Sequence, residues 1–95
     1  MAQIKVKGFS VIRDVLGATE VALEVGRPET VKAALDALLQ TYGEPLKRVL
    51  VDPETGEMTP FLLVLNGEAI SSTLDIDRPV KNGDEVTLIF PIGGG

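Results

Sequence analysis

A single amphipathic segment, between Thr30 and Gly43, limits the folds that this chain can adopt. Thr30 is a good N-cap residue, and Gly43 stands where glycine commonly ends a helix. Between them apolar residues recur at helical spacing, at Val31, Ala34, Leu35, Leu38, Leu39 and Tyr42. Because only one face of this helix is apolar, it has to cover a sheet or another helix. The remaining segments mostly alternate like strands, so the sequence predicts one main helix packed against a sheet.

The first strand of that sheet is predicted at residues 3–9, where Ile4 and Val6 alternate with lysines. A short helical connection over residues 10–17 leads to a second alternating segment at residues 19–26. The two strands are therefore interpreted as a hairpin-like pair.

The second half of the chain predicts further strands and the centre of the sheet. Asn66-Gly67, between two apolar segments, is the strongest short-range signal for a tight hairpin. The last strand, EVTLIF at residues 85–90, has apolar residues on both faces, which is typical of a central strand. We expect the first strand to run parallel beside it, and Pro91, which has no N–H to donate, to end the pairing. The predicted fold class is α+β, a mixed sheet with its first and last strands parallel and central.

The residue types that are missing from the sequence exclude several functions. The 95 residues include no cysteine and no histidine, which excludes disulfides, Cys/His zinc sites, iron–sulfur ligation, thiol nucleophiles and an imidazole base. The net charge of −5 disfavours nucleic acid, whose binding needs lysine and arginine. The longest unbroken apolar run, FLLVL, is far too short for a membrane span, and the N-terminus lacks the apolar core of a signal peptide. We expect a single cytoplasmic domain that binds no metal, nucleic acid or membrane.

Three motifs in this order resemble the MoaD/ThiS family of ubiquitin-like sulfur carriers. They are NGE at residues 66–68, NGDEVTLIFP at residues 82–91 and the terminal glycines. The resemblance covers essentially the whole chain and implies a β-grasp fold. The chain length and the FP before the tail look more like the small subunit of molybdopterin synthase than the shorter thiazole-pathway carrier. In one departure from the family pattern, Gly93 turns the usual terminal diglycine into a triglycine.

The resemblance implies a division into a β-grasp domain at residues 1–91 and a flexible glycine tail at residues 92–95. In the family, an E1-like adenylating enzyme uses ATP to activate the terminal carboxyl group, which in this sequence belongs to Gly95. Sulfur from a sulfurtransferase then converts the acyl-adenylate into a thiocarboxylate. Activation is needed because a carboxylate anion is a poor electrophile. Gly94 suits a narrow partner site because glycine has no Cβ.

The resemblance therefore implies a sulfur carrier that is not an enzyme by itself and binds no cofactor of its own. It would donate sulfur in molybdopterin (molybdenum or tungsten cofactor) biosynthesis, as the small subunit of molybdopterin synthase beside the large subunit. Three alternatives stay open. One is sulfur delivery to thiamine thiazole, tRNA thiolation or cysteine synthesis. A second is a protein modifier that joins Gly95 to lysines by isopeptide bonds, and a third is an interaction module with an inert tail.

The folded body is also expected to dock on the partner. Ordering the three glycines costs about 1 to 2 kcal/mol each, so the tail alone binds weakly. The residues predicted to contact the partner are Phe61, Leu63, Phe90, Pro91, Ile92 and Gly93.

Overall fold

Five strands form one mixed sheet in the computed structural model, which describes residues 1–57, 61–71 and 74–89. The sheet order is β2-β1-β5-β3-β4. The strands are β1 Ala2–Gly8, β2 Glu20–Val25, β3 Leu62–Leu65, β4 Glu68–Ser71 and β5 Glu85–Ile89. β1 and β5 run parallel, and the other neighbouring pairs run antiparallel. The predicted α+β class, with the first and last strands parallel and central, is confirmed.

The longest helix, α2 (Val31–Tyr42), begins and ends where the sequence predicts. The Thr30 hydroxyl accepts a hydrogen bond from the Ala33 N–H at 3.2 Å, so Thr30 is an N-cap. Two further amides of the first turn donate to carbonyls of the segment after β4: Val31 to Arg78 at 2.9 Å and Lys32 to Ile76 at 2.8 Å. These contacts satisfy the free N–H groups of the helix N-terminus and fix α2 against the rest of the fold.

Two shorter helices accompany α2: α1 (Val11–Leu16) and α3 (Glu44–Leu50). Gly43 ends α2 as the sequence predicts, but α3, which is not among the predicted elements, begins directly after it. Gly43 has a φ of 66°, and Pro45 stands in the first turn of α3, where proline is tolerated because its missing N–H needs no partner. None of the helices in the described part of the chain is long and apolar enough to cross a membrane.

The core lies between the inner face of the sheet and the helices. Alternate residues of the strands point into it, as the period of two requires. The largest fully buried side chains are Ile4, Val6, Ile12, Val25, Val31, Leu35, Leu38, Leu46, Leu50, Leu63, Val86 and Leu88. The outer face of the sheet, which the helices do not cover, carries the other set of side chains.

The Asn66-Gly67 turn fixes the beginning of β5. Both residues have positive φ, 50° and 85°, as a type I′ hairpin requires. The Asn66 Oδ1 accepts from the Glu85 N–H at 2.8 Å, and its Nδ2 donates to the Asp84 Oδ1 at 3.0 Å. The Asp84 Oδ2 also accepts from the Lys81 N–H at 2.8 Å. Asp84 thus has a structural role in the turn before the central strand.

An exposed ion pair joins β4 to the segment that caps α2. The two Arg78 guanidinium nitrogens donate to the two Glu68 carboxylate oxygens at 3.0 and 3.3 Å. These hydrogen bonds, and with them the positive charge of Arg78, hold the pKa of Glu68 below its ordinary value of 4.5.

Glu68→Gln is expected to lower the unfolding temperature slightly at neutral pH and to have less effect in acid. Because the folded-state pKa of Glu68 is lowered, its contribution is fully present above 4.5 and is lost as the pH falls through the folded value. The pair is exposed, so the contribution is small. Thermal unfolding across this pH range, with Glu24→Gln on β2 as control, measures it. A Glu68→Gln effect that stays constant into acid contradicts the prediction.

Candidate functional site

The central strand β5 ends at one end of the sheet, which we call the tail end. Ile89, the last residue of β5, pairs with Leu62 at the beginning of β3, and Leu62 also pairs with Ser71 at the end of β4. Gly8, at the end of β1, pairs with Leu88. The last described residue of β5 therefore lies between β1 and β3.

Three apolar side chains form what we call the apolar row at the tail end: Phe9, Ile89 and Leu62. Phe9 follows β1 directly, one residue after the Gly8–Leu88 pair. Phe9 is 49% exposed and Leu62 is 46% exposed, while Ile89 is half-buried. Two neighbouring strands, β3 and β5, and the residue that follows β1 thus each place one apolar side chain beside the end of β5.

Other exposed apolar residues concentrate at the same end. Val11 is two residues past Phe9, and the Leu74 N–H donates to the Ser71 hydroxyl at 2.9 Å, which places Leu74 next to the end of β4. Of the five large apolar side chains that are exposed in the described ranges, four lie at the tail end and only Met1 does not. Exposed apolar side chains that cluster in this way mark an interaction surface more often than scattered ones do.

Charged residues border the apolar row on the outer face. The Lys7 Nζ lies 3.1 Å from the Glu85 carboxylate and 3.9 Å from that of Glu20. Lys7 pairs in register with Thr87, and Thr87 pairs with the half-buried Val64. Surface ion pairs of this kind contribute little stability. The outer face beside β1 is therefore charged, in contrast to the apolar row at the tail end.

Within residues 1–57, 61–71 and 74–89, acidic side chains form no group of three or more that is suited to hold a metal ion. The exposed apolar residues at the tail end are the feature of the described residues that suits docking of another protein.

Comparison with known proteins identifies the family. A model of the ThiS family matches residues 6–95, from β1 to the last glycine of the sequence. The chain belongs to the ThiS family.

Three relatives of this ThiS-family protein show what the family contains. Small archaeal modifier protein 1 of Haloferax volcanii is 34% identical over 90 residues, 94% of this chain and 97% of that protein. Its crystal structure has a TM-score of 0.81 at 28% identity and covers 99% of this chain and 100% of that chain. A protein of Archaeoglobus fulgidus named as a sulfur carrier is 30% identical over 67 residues, 70% of this chain and 74% of that protein.

The third relative is found in a complex. A chain in the complex of subunits 1 and 2 of the Helicobacter pylori molybdopterin-converting factor has a TM-score of 0.59 at 26% identity, with 98% of this chain and 99% of that chain covered. Together the likenesses confirm the ubiquitin-like β-grasp fold, in a family that includes proteins named as sulfur carriers and as modifiers.

The structure corrects one part of the predicted partner surface. Phe61 is 7% exposed and Leu63 is 0% exposed, because both side chains belong to the core of this ThiS-family domain. They are not available for partner contacts, so this prediction is wrong for their side chains. The other predicted site residues, Phe90, Pro91, Ile92, Gly93, Gly94 and Gly95, lie outside the described residues, as does the predicted tail at residues 92–95.

Phe9, Leu62 and Ile89 are not among the partner residues that the sequence predicts. A signal for Phe9 was present, because it continues the outward-facing alternation of Lys5 and Lys7. No comparable signal existed for Leu62, since its neighbours on both sides are equally apolar.

Proposed function

We propose that this ThiS-family protein is a sulfur carrier that works through the carboxyl group of Gly95. An E1-like enzyme adenylates this group with ATP, and sulfur from a sulfurtransferase converts the adenylate into a thiocarboxylate. The observation that carries the proposal is that the family match extends through β5 to Gly95. The sequence contains no cysteine and no histidine, which fits a carrier that holds sulfur on its main chain.

The chemistry divides the work between the carrier and its partners. A Gly95 carboxylate oxygen attacks the α-phosphorus of ATP, and pyrophosphate leaves. A hydrosulfide ion, which the partners supply, then attacks the acyl carbon and AMP leaves. The thiocarboxylic acid that forms loses its proton to water, so Gly95 ends in a thiocarboxylate. All groups that activate ATP and deliver sulfur belong to the partners. The carrier supplies the acyl group, the narrow glycine segment and the docking surface.

The apolar row supports this division because it lies where β5 ends. Residues 91–95 reach roughly 16 to 18 Å when extended, so Gly95 enters a buried partner site while the domain stays outside. Docking of Phe9, Leu62 and Ile89 offsets the entropy that is lost when Gly93 and Gly94 are ordered.

For the acceptor of the sulfur, we propose molybdopterin biosynthesis, with this protein as the small subunit of molybdopterin synthase. The likeness to a subunit of the Helicobacter pylori molybdopterin-converting factor supports this assignment. The large subunit then binds the pterin precursor and provides the catalytic side chains.

A second candidate function is protein modification. It is supported by the identity of 34% to small archaeal modifier protein 1, which extends over 94% of this chain. Adenylation of Gly95 is common to both functions. In modification, a lysine amine of a target attacks the adenylated Gly95 carbonyl, AMP leaves, the amine loses a proton to water, and an isopeptide bond forms.

Incubation with a cognate E1-like enzyme, ATP and a sulfur donor is expected to increase the intact mass by about 16 Da, as one oxygen is replaced by sulfur. Deletion of Gly95 should abolish this increase, because the carboxyl group is then displaced from its partner site. Addition of the large subunit with the pterin precursor should reverse it. If the protein instead becomes attached to lysines of other proteins and the mass increase is not reversed, the result favours the modifier function. An unchanged mass after adenylation has been verified by pyrophosphate release contradicts the sulfur-carrier proposal.

A further inference from the structure

Two Asn-Gly pairs lie at the end of the sheet opposite the tail end: Asn66-Gly67 and Asn82-Gly83. Asn-Gly sequences deamidate more readily than others, because no Cβ on glycine blocks the approach of its main-chain nitrogen to the asparagine side chain. The nitrogen loses its proton to hydroxide and attacks Cγ, and the side-chain nitrogen takes a proton from water and leaves as ammonia. Water then opens the resulting succinimide to aspartate or isoaspartate. The two pairs differ in how the fold holds the reacting atoms.

At Asn82, hydrogen bonds to Gln3 of β1 hold both the attacking nitrogen and the side-chain amide. The attacking nitrogen, that of Gly83, donates its N–H to the Gln3 carbonyl at 2.8 Å. The Asn82 Oδ1 in turn accepts from the Gln3 N–H at 3.0 Å. Attack at this site requires the hydrogen bond of the Gly83 N–H to break, which slows the reaction about fivefold. The contact to the Asn82 Oδ1 does not distinguish the two sites, because the Asn66 Oδ1 also accepts from a main-chain N–H.

At Asn66 the arrangement favours the reaction. The Gly67 N–H has no hydrogen-bond acceptor among the described residues. The Glu85 N–H lies 2.8 Å from the Asn66 Oδ1, where it stabilises the negative charge that forms on this oxygen during attack. The Asp84 carboxylate accepts from the departing nitrogen at 3.0 Å and stabilises the positive charge that this nitrogen gains on protonation. We infer that Asn66 is a site of spontaneous deamidation in the folded protein and that Asn82 is protected.

The product changes the contact that fixes the beginning of β5. Aspartate at position 66 keeps an acceptor for the Glu85 N–H but has no N–H to donate to Asp84. Two carboxylates then face each other where a hydrogen bond of 3.0 Å stood. Like charges at this separation repel, so the modified protein holds the central strand less firmly. Aspartate at position 82, in contrast, still accepts from the Gln3 N–H.

Peptide mapping of the native protein, incubated in mildly alkaline buffer and sampled over time, tests the inference. The mass gain of about 1 Da is expected at Asn66 at least about fivefold faster than at Asn82. Asn66→Asp is expected to lower the unfolding temperature at neutral pH, with a smaller loss in acid, where a carboxylic acid regains a proton to donate. The matched variant Asn82→Asp should leave the unfolding temperature nearly unchanged.

The same incubation in urea provides the reference rate for the unfolded chain. Equal rates at the two sites in the native protein, or faster conversion at Asn82, overturn the inference. Conversion that is found only in the urea-unfolded chain overturns it as well. These readouts involve no partner enzyme, so they are independent of the proposed sulfur-carrier function.

Discussion

If the protein is the proposed carrier, Leu62→Asp is expected to weaken its binding to the proposed activating enzyme by roughly 30-fold or more, with little loss of folding stability. Leu62 is 46% exposed, and it pairs with Ile89, the last residue of β5. Loss of a central apolar contact in an interface costs about 2 kcal/mol or more, which corresponds to roughly 30-fold in affinity. Aspartate adds the cost of bringing a charge into that contact. Titration of the carrier against the rate of ATP–pyrophosphate exchange measures the change as a rise in KM.

A matched control is the same charge at Ala22, an exposed residue of β2. Ala22 pairs with Lys5, on the charged side of the outer face and away from the apolar row. Ala22→Asp is expected to leave the KM for the carrier nearly unchanged. If both variants raise KM equally, general electrostatic repulsion explains the loss, and the apolar row is not the docking surface.

The elements that local patterns specify could be predicted from the sequence. The period of the apolar residues and the cap at Thr30 identify α2, and Asn66-Gly67 identifies the hairpin between β3 and β4. The near-continuous apolar run of β5 indicates a strand with neighbours on both sides, which the pairing with β1 and β3 confirms. In each case the determining interactions are close in sequence or depend on burial alone.

The direction in which each side chain of β3 points could not be predicted. FLLVL is apolar at every position, so alternation does not distinguish the set of Phe61 and Leu63 from the set of Leu62 and Val64. Pairing with β5 makes that choice, because Leu63 stands opposite Leu88, whose side chain is in the core. A shift of the strand register by one residue exchanges the side chains in the core with those on the surface. The prediction that Leu63 contacts the partner contains this error.

The third helix was missed for a different reason. Proline is a strong signal against the interior of a helix but is compatible with its first turn. The sequence around Pro45 is compatible with a loop and with a new helix. The helix forms because it buries Leu46 and Leu50 in the core. The chemistry of Gly95 was a prediction from family resemblance, since three glycines by themselves specify no reaction.

Leu63→Ala is expected to lower the free energy of unfolding by about 2 to 5 kcal/mol, a large part of the 5 to 15 kcal/mol that is typical of a domain. Leu63 is 0% exposed and pairs with Leu88 on one side and Ile70 on the other, so its loss leaves a cavity in the middle of the core. Urea unfolding measures the loss as a lower midpoint at a constant m-value.

Leu62→Ala is the matched control, because it removes the same atoms from the adjacent residue on the opposite face. Its expected cost is about 0.5 kcal/mol, as for other exposed positions. The binding measurement should give the opposite order of effects. Leu62→Ala is expected to raise the KM for the carrier. Leu63→Ala is expected to leave this KM unchanged under conditions in which the variant stays folded. Equal stability losses at the two positions contradict the assigned faces of β3. If folded Leu63→Ala raises the KM and Leu62→Ala does not, the docking surface includes Leu63 and not Leu62.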